Sequence, residues 1–144
     1  MLTDLPLERV YQFIEPGPVA LLTTQAPSAR PNVMTMSWHM MVDFAPPLIA
    51  CVVSAKNHSF AALRKTRQCV IAIPPAALAE IVTSIGNCSG HDTDKFATFD
   101  ITPLPAAYVV APLIGECIVN LECEVRDTYK VNRYNMFILE CLTA

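Results

Sequence analysis

Three short segments carry the residue types from which a cofactor site could be built. The first runs from Asn32 to Val42. In an extended chain successive side chains point to opposite faces. Met34, Met36, Trp38, Met40 and Val42 then share one face, and Val33, Thr35, Ser37, His39 and Met41 the other. The first face suits a core. The second sets hydroxyls among apolar groups. That lining suits a ring system with an apolar body and a polar edge, such as an isoalloxazine. An ordinary half-exposed strand would show the same alternation, and a lone histidine such as His39 is more often a satisfied structural group than a base.

The second segment is Ser54-Ala55-Lys56-Asn57-His58-Ser59. Leu48 to Ser54 is apolar until its last residue, which suits a strand buried on both faces. Phe60 to Lys65 reads as a helix, with Asn57 or Ser59 as its N-cap. A strand that runs into a helix start presents unpaired N–H groups and the positive end of the helix dipole. Hydroxyl and amide side chains add donors, and Lys56 adds charge, so the segment suits a phosphate. Capping alone accounts for Asn57 and Ser59 but not for the Lys56 and His58 pair. Neither GxxxxGK[ST] nor GxGxxG is present.

The third segment is Asn87-Cys88-Ser89-Gly90-His91-Asp92-Thr93-Asp94-Lys95-Phe96. Gly90 permits close backbone approach, and Lys95 could reach an anion. Asp92 suits the cap of a helical turn. Cys88, His91, Asp92 and Asp94 lack the closely spaced pairs from two places that structural zinc sites recruit, so no metal is expected.

The chain that must position these segments has 144 residues, the size of one domain. It is 53% hydrophobic and 16% charged, with a mean hydropathy of +0.38. Yet no uninterrupted apolar run approaches the roughly 18 residues of a spanning helix, so no membrane is expected. The apolar surplus points instead to a partner subunit, because obligate interfaces resemble a divided core. A net charge of −3 with no long basic run speaks against nucleic acid. Met1 to Tyr11 carries Asp4 and Glu8 and no signal-peptide pattern, so the cytoplasm is expected. The six cysteines form no CxxC. They read as small buried hydrophobes in a reducing compartment.

Prolines punctuate short apolar runs. Asp4 is expected to cap a first helix bearing Leu7, Val10 and Tyr11, broken by Glu15-Pro16-Gly17-Pro18. Val19–Thr24 and Val33–Val42 read as a hairpin across the Gln25–Pro31 loop. Cys69–Ile73 is a buried strand stopped by Pro74-Pro75, and Ala76–Ile85 a helix ended by Gly86. Asn87–Phe99 is a polar loop or short helical turn. Along Cys117–Val125, Cys117, Val119, Leu121, Cys123 and Val125 face one way, and Asn120, Glu122 and Glu124 the other, the pattern of a half-exposed strand. Asn135–Leu142 is the last strand. Six strands with two helices suggest an antiparallel barrel with helical insertions. A doubly wound sheet is disfavoured, since the first two strands are joined too tightly for a crossover.

Taken in order, Asn32-Val33-Met34-Thr35-Met36-Ser37-Trp38, Ser54-Ala55-Lys56-Asn57-His58-Ser59-Phe60 and Ser89-Gly90-His91-Asp92-Thr93-Asp94-Lys95-Phe96 resemble the flavin reductase-like, FMN-binding split-barrel family. Pro46-Pro47-Leu48 lies between the first two, and Asn120-Leu121-Glu122-Cys123 also matches. The resemblance covers most of the chain. It implies one domain over residues 1–144, mainly β with helices: a six-stranded antiparallel Greek-key split barrel. It further implies a homodimer with FMN near the subunit interface. Thr35, Met36, Ser37 and Trp38 would border the flavin ring. Ser54, Lys56, Asn57, His58 and Ser59 would hold the phosphate and ribityl chain, and Asp94, Lys95 and Phe96 would close over the cofactor. Members usually run some tens of residues further, so this chain is expected to be truncated at its C-terminus.

The implied activity is an NAD(P)H-dependent oxidoreductase of the flavin reductase type. Hydride would pass from a nicotinamide dinucleotide to the flavin, and electrons onward to free flavin, oxygen or a redox protein. No catalytic acid or base is assigned, because hydride transfer needs none. The alternative is a flavoredoxin-like electron carrier for a protein partner. A pyridoxine phosphate oxidase-like activity would need a basic substrate pocket, and the arginines are few, chiefly Arg64, Arg67, Arg126 and Arg133.

Overall fold

The structure, a computed structural model, describes residues 18–144. The helix expected from Asp4 lies outside them. The elements are β1 (Ala20–Thr24), β2 (Asn32–Met36), β3 (His39–Phe44), β4 (Pro47–Val52), α1 (His58–Thr66), β5 (Gln68–Ile73), α2 (Ala79–Gly86), α3 (Lys95–Thr98), β6 (Pro103–Leu104), β7 (Leu113–Ile114), β8 (Val119–Asp127), α4 (Val131–Tyr134) and β9 (Met136–Thr143). Seven strands form one sheet in the order β2-β1-β5-β8-β9-β4-β3, and β6 and β7 form a separate ribbon. Every pairing is antiparallel.

The sheet's two edge strands, β2 and β3, are joined by only Ser37 and Trp38. At no more than about 3.6 Å per residue, the linked ends of the edges lie within roughly 11 Å of each other. The sheet therefore curls back on itself, and covalent chain rather than a ladder of hydrogen bonds spans the gap. This is a split barrel.

The expected β1–β2 hairpin is present, with Ala20 opposite Met36 and Thr24 opposite Asn32. The expectation of one strand from Val33 to Val42 is corrected: it is two strands on opposite edges, which raises the count from six to seven. The expected core face fails with it. Met36 is buried, but Trp38, Met40 and Val42 are exposed at 52, 63 and 50%. Beyond Ser37 the chain has left β1 and pairs only with β4, across a register shift between Met41 and Asp43.

Both faces of the central strands are covered. Ala20 and Leu22 of β1 join Met36, Cys51, Val53, Leu63, Cys69, Cys123, Phe137 and Leu139 inside the curl. Leu21 points the other way, to a second core with Val33, Ala72, Val82, Ile85, Phe96, Ile101 and Ile114. Hence β1 is buried at all five positions. Each large aliphatic side chain so buried contributes about 1.5–3 kcal/mol. Phe60 of α1 packs edge-on against Phe137, with centroids 5.7 Å apart.

Three local expectations are corrected. Asp94, not Asp92, caps a helical turn, its Oδ1 accepting from Ala97 N at 3.2 Å. Gly86 does not adopt the left-handed form; it closes α2 as a helical residue, and its missing Cβ leaves room for Thr35, which a Cβ there would approach within 3.3 Å. Glu122 does not face solvent. It is 4% exposed, because a strap after β6 crosses the outer face of β8 and uses its carboxylate.

Among the cysteines, Cys51, Cys69 and Cys123 are buried, and Cys88, Cys117 and Cys141 half-buried; all six are free. Burial pushes the Cys51 thiol up to about 12. Thiols so placed are inert.

Candidate functional site

The groove starts where β4 gives way to α1. After Val53 the chain turns tightly: Asn57 N donates to Ser54 O at 2.9 Å, and Lys56 N to Ser54 Oγ at 3.2 Å. Asn57 takes the N-cap position with φ −78° and ψ 140°, yet its side chain makes no cap bond. No acidic residue lies in the first turn of α1. The positive end of the helix is therefore left without an internal counter-charge.

A cavity of about 260 Å³ opens there. It is lined by Lys56, Asn57, His58 and Ser59 from the turn, by Asn32 and Thr35 from β2, and by residues 85–90 and Lys95. Among the described residues, no Asp or Glu lines it. Lys95 is only 4% exposed, and its Nζ donates to Ile85 O at 2.9 Å. Desolvation lowers its pKa, while the nearby Cys88 thiol acts in the opposite sense. One carbonyl satisfies one of three ammonium donors, so an anion in the cavity would meet an ammonium that is only partly satisfied.

A buried amide braces the wall. Asn32 is 6% exposed and its Nδ2 donates to Ser59 Oγ at 2.8 Å, tying β2 to the first turn of α1. Gly90 lies directly on that amide: a Cβ at position 90 would fall 1.9 Å from Asn32 Oδ1. Arg30 Nη2 donates to Gly90 O at 3.3 Å and holds the loop from outside. Thr35 Oγ1 donates to Val82 O at 2.6 Å and fixes α2 against β2.

A second cavity, about 250 Å³, continues from the first. Met34, Thr35 and Asn57 line both. Met36, Ser37, Trp38, Val52 and Ser54 complete it. The result is one groove, cationic and donor-rich at the helix start, and apolar with scattered hydroxyls along the split edge of the barrel. Because β2 ends the sheet among the described residues, one side of its backbone has no ladder partner there. A ligand edge laid there meets free backbone groups.

Ten of the residues singled out from the sequence line this groove: Thr35, Met36, Ser37, Trp38, Ser54, Lys56, Asn57, His58, Ser59 and Lys95. Asp94 and Phe96 do not. Asp94 is exposed and occupied as a cap, and the Phe96 ring lies in the second core beneath α2. Helical phase explains the split, since neighbouring residues of α3 point to different sides. Asn32, Cys88, Ser89 and Gly90 lie in the segments singled out from the sequence, where no contact with the cofactor was expected of them, and they too line the first cavity. Asn32 carried a usable signal, a polar side chain opening a strand of otherwise buried character. For Gly90 the signal was weaker, because its clash depends on a residue 58 positions away.

The curled antiparallel sheet, split between β2 and β3 and grooved along that split, is the flavin reductase-like split barrel. The chain belongs to the family described as flavin reductase like domain, whose model matches residues 14–144. An uncharacterized protein of Archaeoglobus fulgidus is 28% identical over 113 residues, covering 78% of this chain and 64% of that one. The chain spans less than two thirds of the length of the curated relatives it matches. Flavoredoxin of Desulfovibrio vulgaris (Miyazaki F) superposes with a TM-score of 0.82 at 28% identity, over 88% of this chain and 67% of that one. Flavoredoxin from Methanosarcina acetivorans superposes with a TM-score of 0.84 over 99% of this chain and 74% of that one; its 23% identity speaks to the fold.

Proposed function

We propose that the chain binds FMN along this groove, and that the protein is a flavin-dependent oxidoreductase of the flavin reductase type with a nicotinamide dinucleotide as donor. One observation carries the reading: a cavity at the start of α1, with no carboxylate among its described lining residues, runs without interruption into an apolar, hydroxyl-bearing strip. FMN has that same polarity along its length, a dianionic phosphate at one end and an isoalloxazine at the other. The solved relatives include one described as an FMN-binding domain of flavin reductase-like enzymes.

FMN, when bound, supplies the hydride and electron transfer. The chain's own residues bind and orient it. Lys56, the first-turn amides of α1 and the Ser59 hydroxyl hold the phosphate. Asn32 keeps Ser59 in place. Lys95, held by Ile85 O, offers an ammonium from the cavity floor. Thr35, Ser37 and the free edge of β2 face the ring, and Trp38 and Met36 cover it with apolar surface. The exposed edge strand β3, with Met40, Met41, Val42 and Phe44 all at least 49% accessible, is the face on which a second copy would pack to form a homodimer.

The visible spectrum of the purified protein, after FMN is added and the excess removed, tests the assignment. The protein should retain flavin, and changing both Lys56 and Ser59 to Ala should weaken retention at least about tenfold, since each charge-assisted contact is worth about 1.5–3 kcal/mol. A protein that never takes up FMN would sink it. A second readout needs no turnover. In a brief pulse of Ellman's reagent, Cys88 should react while Cys51, Cys69 and Cys123 stay protected, and FMN should slow the reaction at Cys88. Equal labelling of Cys88 with and without FMN would place the cofactor elsewhere.

The similarity to flavoredoxin supports a second reading, an electron carrier that keeps FMN and exchanges electrons with a protein. Steady-state NAD(P)H oxidation separates the two: negligible turnover with tight flavin retention favours the carrier.

A further inference from the structure

Five of the nine lysines and arginines among the described residues lie far from the groove, around the other end of α1. Arg64 and Lys65 are in the last turn of that helix, and Arg67 is its C-cap. Lys130 and Arg133 belong to the α4 turn. A cleft of about 170 Å³ joins the two elements, lined by Arg64, Arg67, Thr128, Val131 and Asn132. Among the described residues, no carboxylate lines it.

The arginine nearest the barrel has a structural task. Arg67 Nη2 donates to Val125 O at 2.8 Å, which sets one wall of the cleft. Arg64 has no such partner, and neither it, Lys130 nor Arg133 enters an ion pair among the described residues. The acids next to them are already engaged. Glu124 and Glu140 hold Arg126 at 2.9 and 2.6 Å, and Asp127 Oδ1 accepts from Tyr129 N at 2.6 Å. Lys130 sits over the Tyr129 ring at 4.9 Å, and Arg133 over the Tyr134 ring at 5.3 Å. These rings are 83% and 50% exposed.

Basic residues in a last helical turn offset the helix dipole, which explains Arg64 and Lys65. That does not explain Lys130 and Arg133, which come from another element, nor two exposed tyrosines beside them. Arginine and tyrosine are the residues that dominate protein–protein contacts. A guanidinium fork selects planar carboxylates. Nucleic acid is the weaker fit, because the patch is short and the chain as a whole is anionic at −3.

We infer that this cleft docks an acidic polypeptide segment of a partner protein. One carboxylate enters between Arg64 and Arg67, flanking carboxylates meet Lys130 and Arg133, and Tyr129 and Tyr134 supply contact area. The nine residues of α1 put this surface about 13 Å along the helix from the cofactor groove, which stays open when the partner is bound. The inference is independent of the flavin reading.

The test is fluorescence anisotropy of a fluorescein-labelled Glu-Ala repeat peptide titrated with the full chain, at low and at physiological salt. Saturable binding is expected at both. Reversing Arg64 and Arg133 to Glu should weaken it at least about tenfold, with an unchanged circular dichroism spectrum. R64K should weaken it several-fold, because lysine keeps the charge but loses the fork. Lys56→Ala, at the other end of α1, should leave it unchanged. Binding that ignores the charge reversal, or falls with Lys56→Ala, would overturn the inference. So would R64K as tight as the parent, or a single-stranded oligonucleotide of equal charge binding as tightly as the peptide.

Discussion

Gly90→Ala should destabilise the protein by about 2–4 kcal/mol and reduce FMN affinity at least tenfold, out of proportion to one added methyl. The backbone is not the reason, since no glycine among the described residues has a positive φ. The new Cβ would stand 1.9 Å from Asn32 Oδ1. Asn32 cannot yield cheaply: it is buried, and its amide donates the 2.8 Å bond to Ser59. If the amide swings away, that bond is lost and Ser59 is released at the helix-start end of the groove. If the loop moves instead, it carries Ser89 and Lys95 from the cavity wall and loosens the Arg30 contact. Either response damages the same site. The two are separable by adding Asn32→Gly to Gly90→Ala. That double variant removes the clash, so it should regain stability over Gly90→Ala while binding FMN no better. Thermal melting and flavin titration of the three proteins decide the matter. Gly90→Ala indistinguishable from the parent in both would mean that the amide rotates freely and the brace is unimportant.

This brace shows where sequence reasoning stops. Local chemistry was legible: a hydroxyl-bearing strip, a helix start beside a lysine, and a polar loop in an apolar chain. Each of these depends on neighbours within a few residues, and all three segments line the groove. What failed depends on distant contacts. The alternation from Val33 to Val42 is unbroken in sequence, and nothing local in Ser37-Trp38 announces that the chain leaves one edge of the sheet for the other. The apolar residues after the crossing look like core and are instead a bare edge strand. Phe96 stands beside Lys95 in sequence, yet the rotation of about 100° per helical residue sends them to different environments, the ring to a core and the ammonium to the cavity. The barrel itself was readable because tight turns between short strands leave few alternatives to antiparallel pairing.

Glu122 is the other long-range surprise, and Glu122→Gln should lower stability by about 2–4 kcal/mol, or roughly 5–15 °C in Tm for a chain of this size. Its alternation with Asn120 and Glu124 marks it as a solvent-facing residue of a half-exposed strand. Instead the carboxylate accepts three backbone N–H groups: Ala107 at 3.0 Å on one oxygen, and Tyr108 at 2.6 Å and Val109 at 3.2 Å on the other. A fourth amide, Val110 N, goes to Gln68 Oε1 at 3.1 Å, and Thr23 Oγ1 donates to Pro112 O at 2.6 Å. These contacts strap residues 106–113 across the outer face of the sheet, so that Val109 and Ala111 cover Val70. Glutamine keeps the shape but turns one acceptor oxygen into an N–H donor. At least one strap amide must then face another donor, and an unpaired buried amide is costly. Amide hydrogen exchange at 107–109 should quicken more than at Leu21 or Val70. Flavin binding should be unchanged below the transition, because the strap lies on the opposite side of β5 and β8 from the interior core and does not line the groove. If exchange quickens across the whole sheet instead, the strap is part of the barrel's single cooperative unit. Loss of flavin binding would couple the strap to a groove that none of its residues touch.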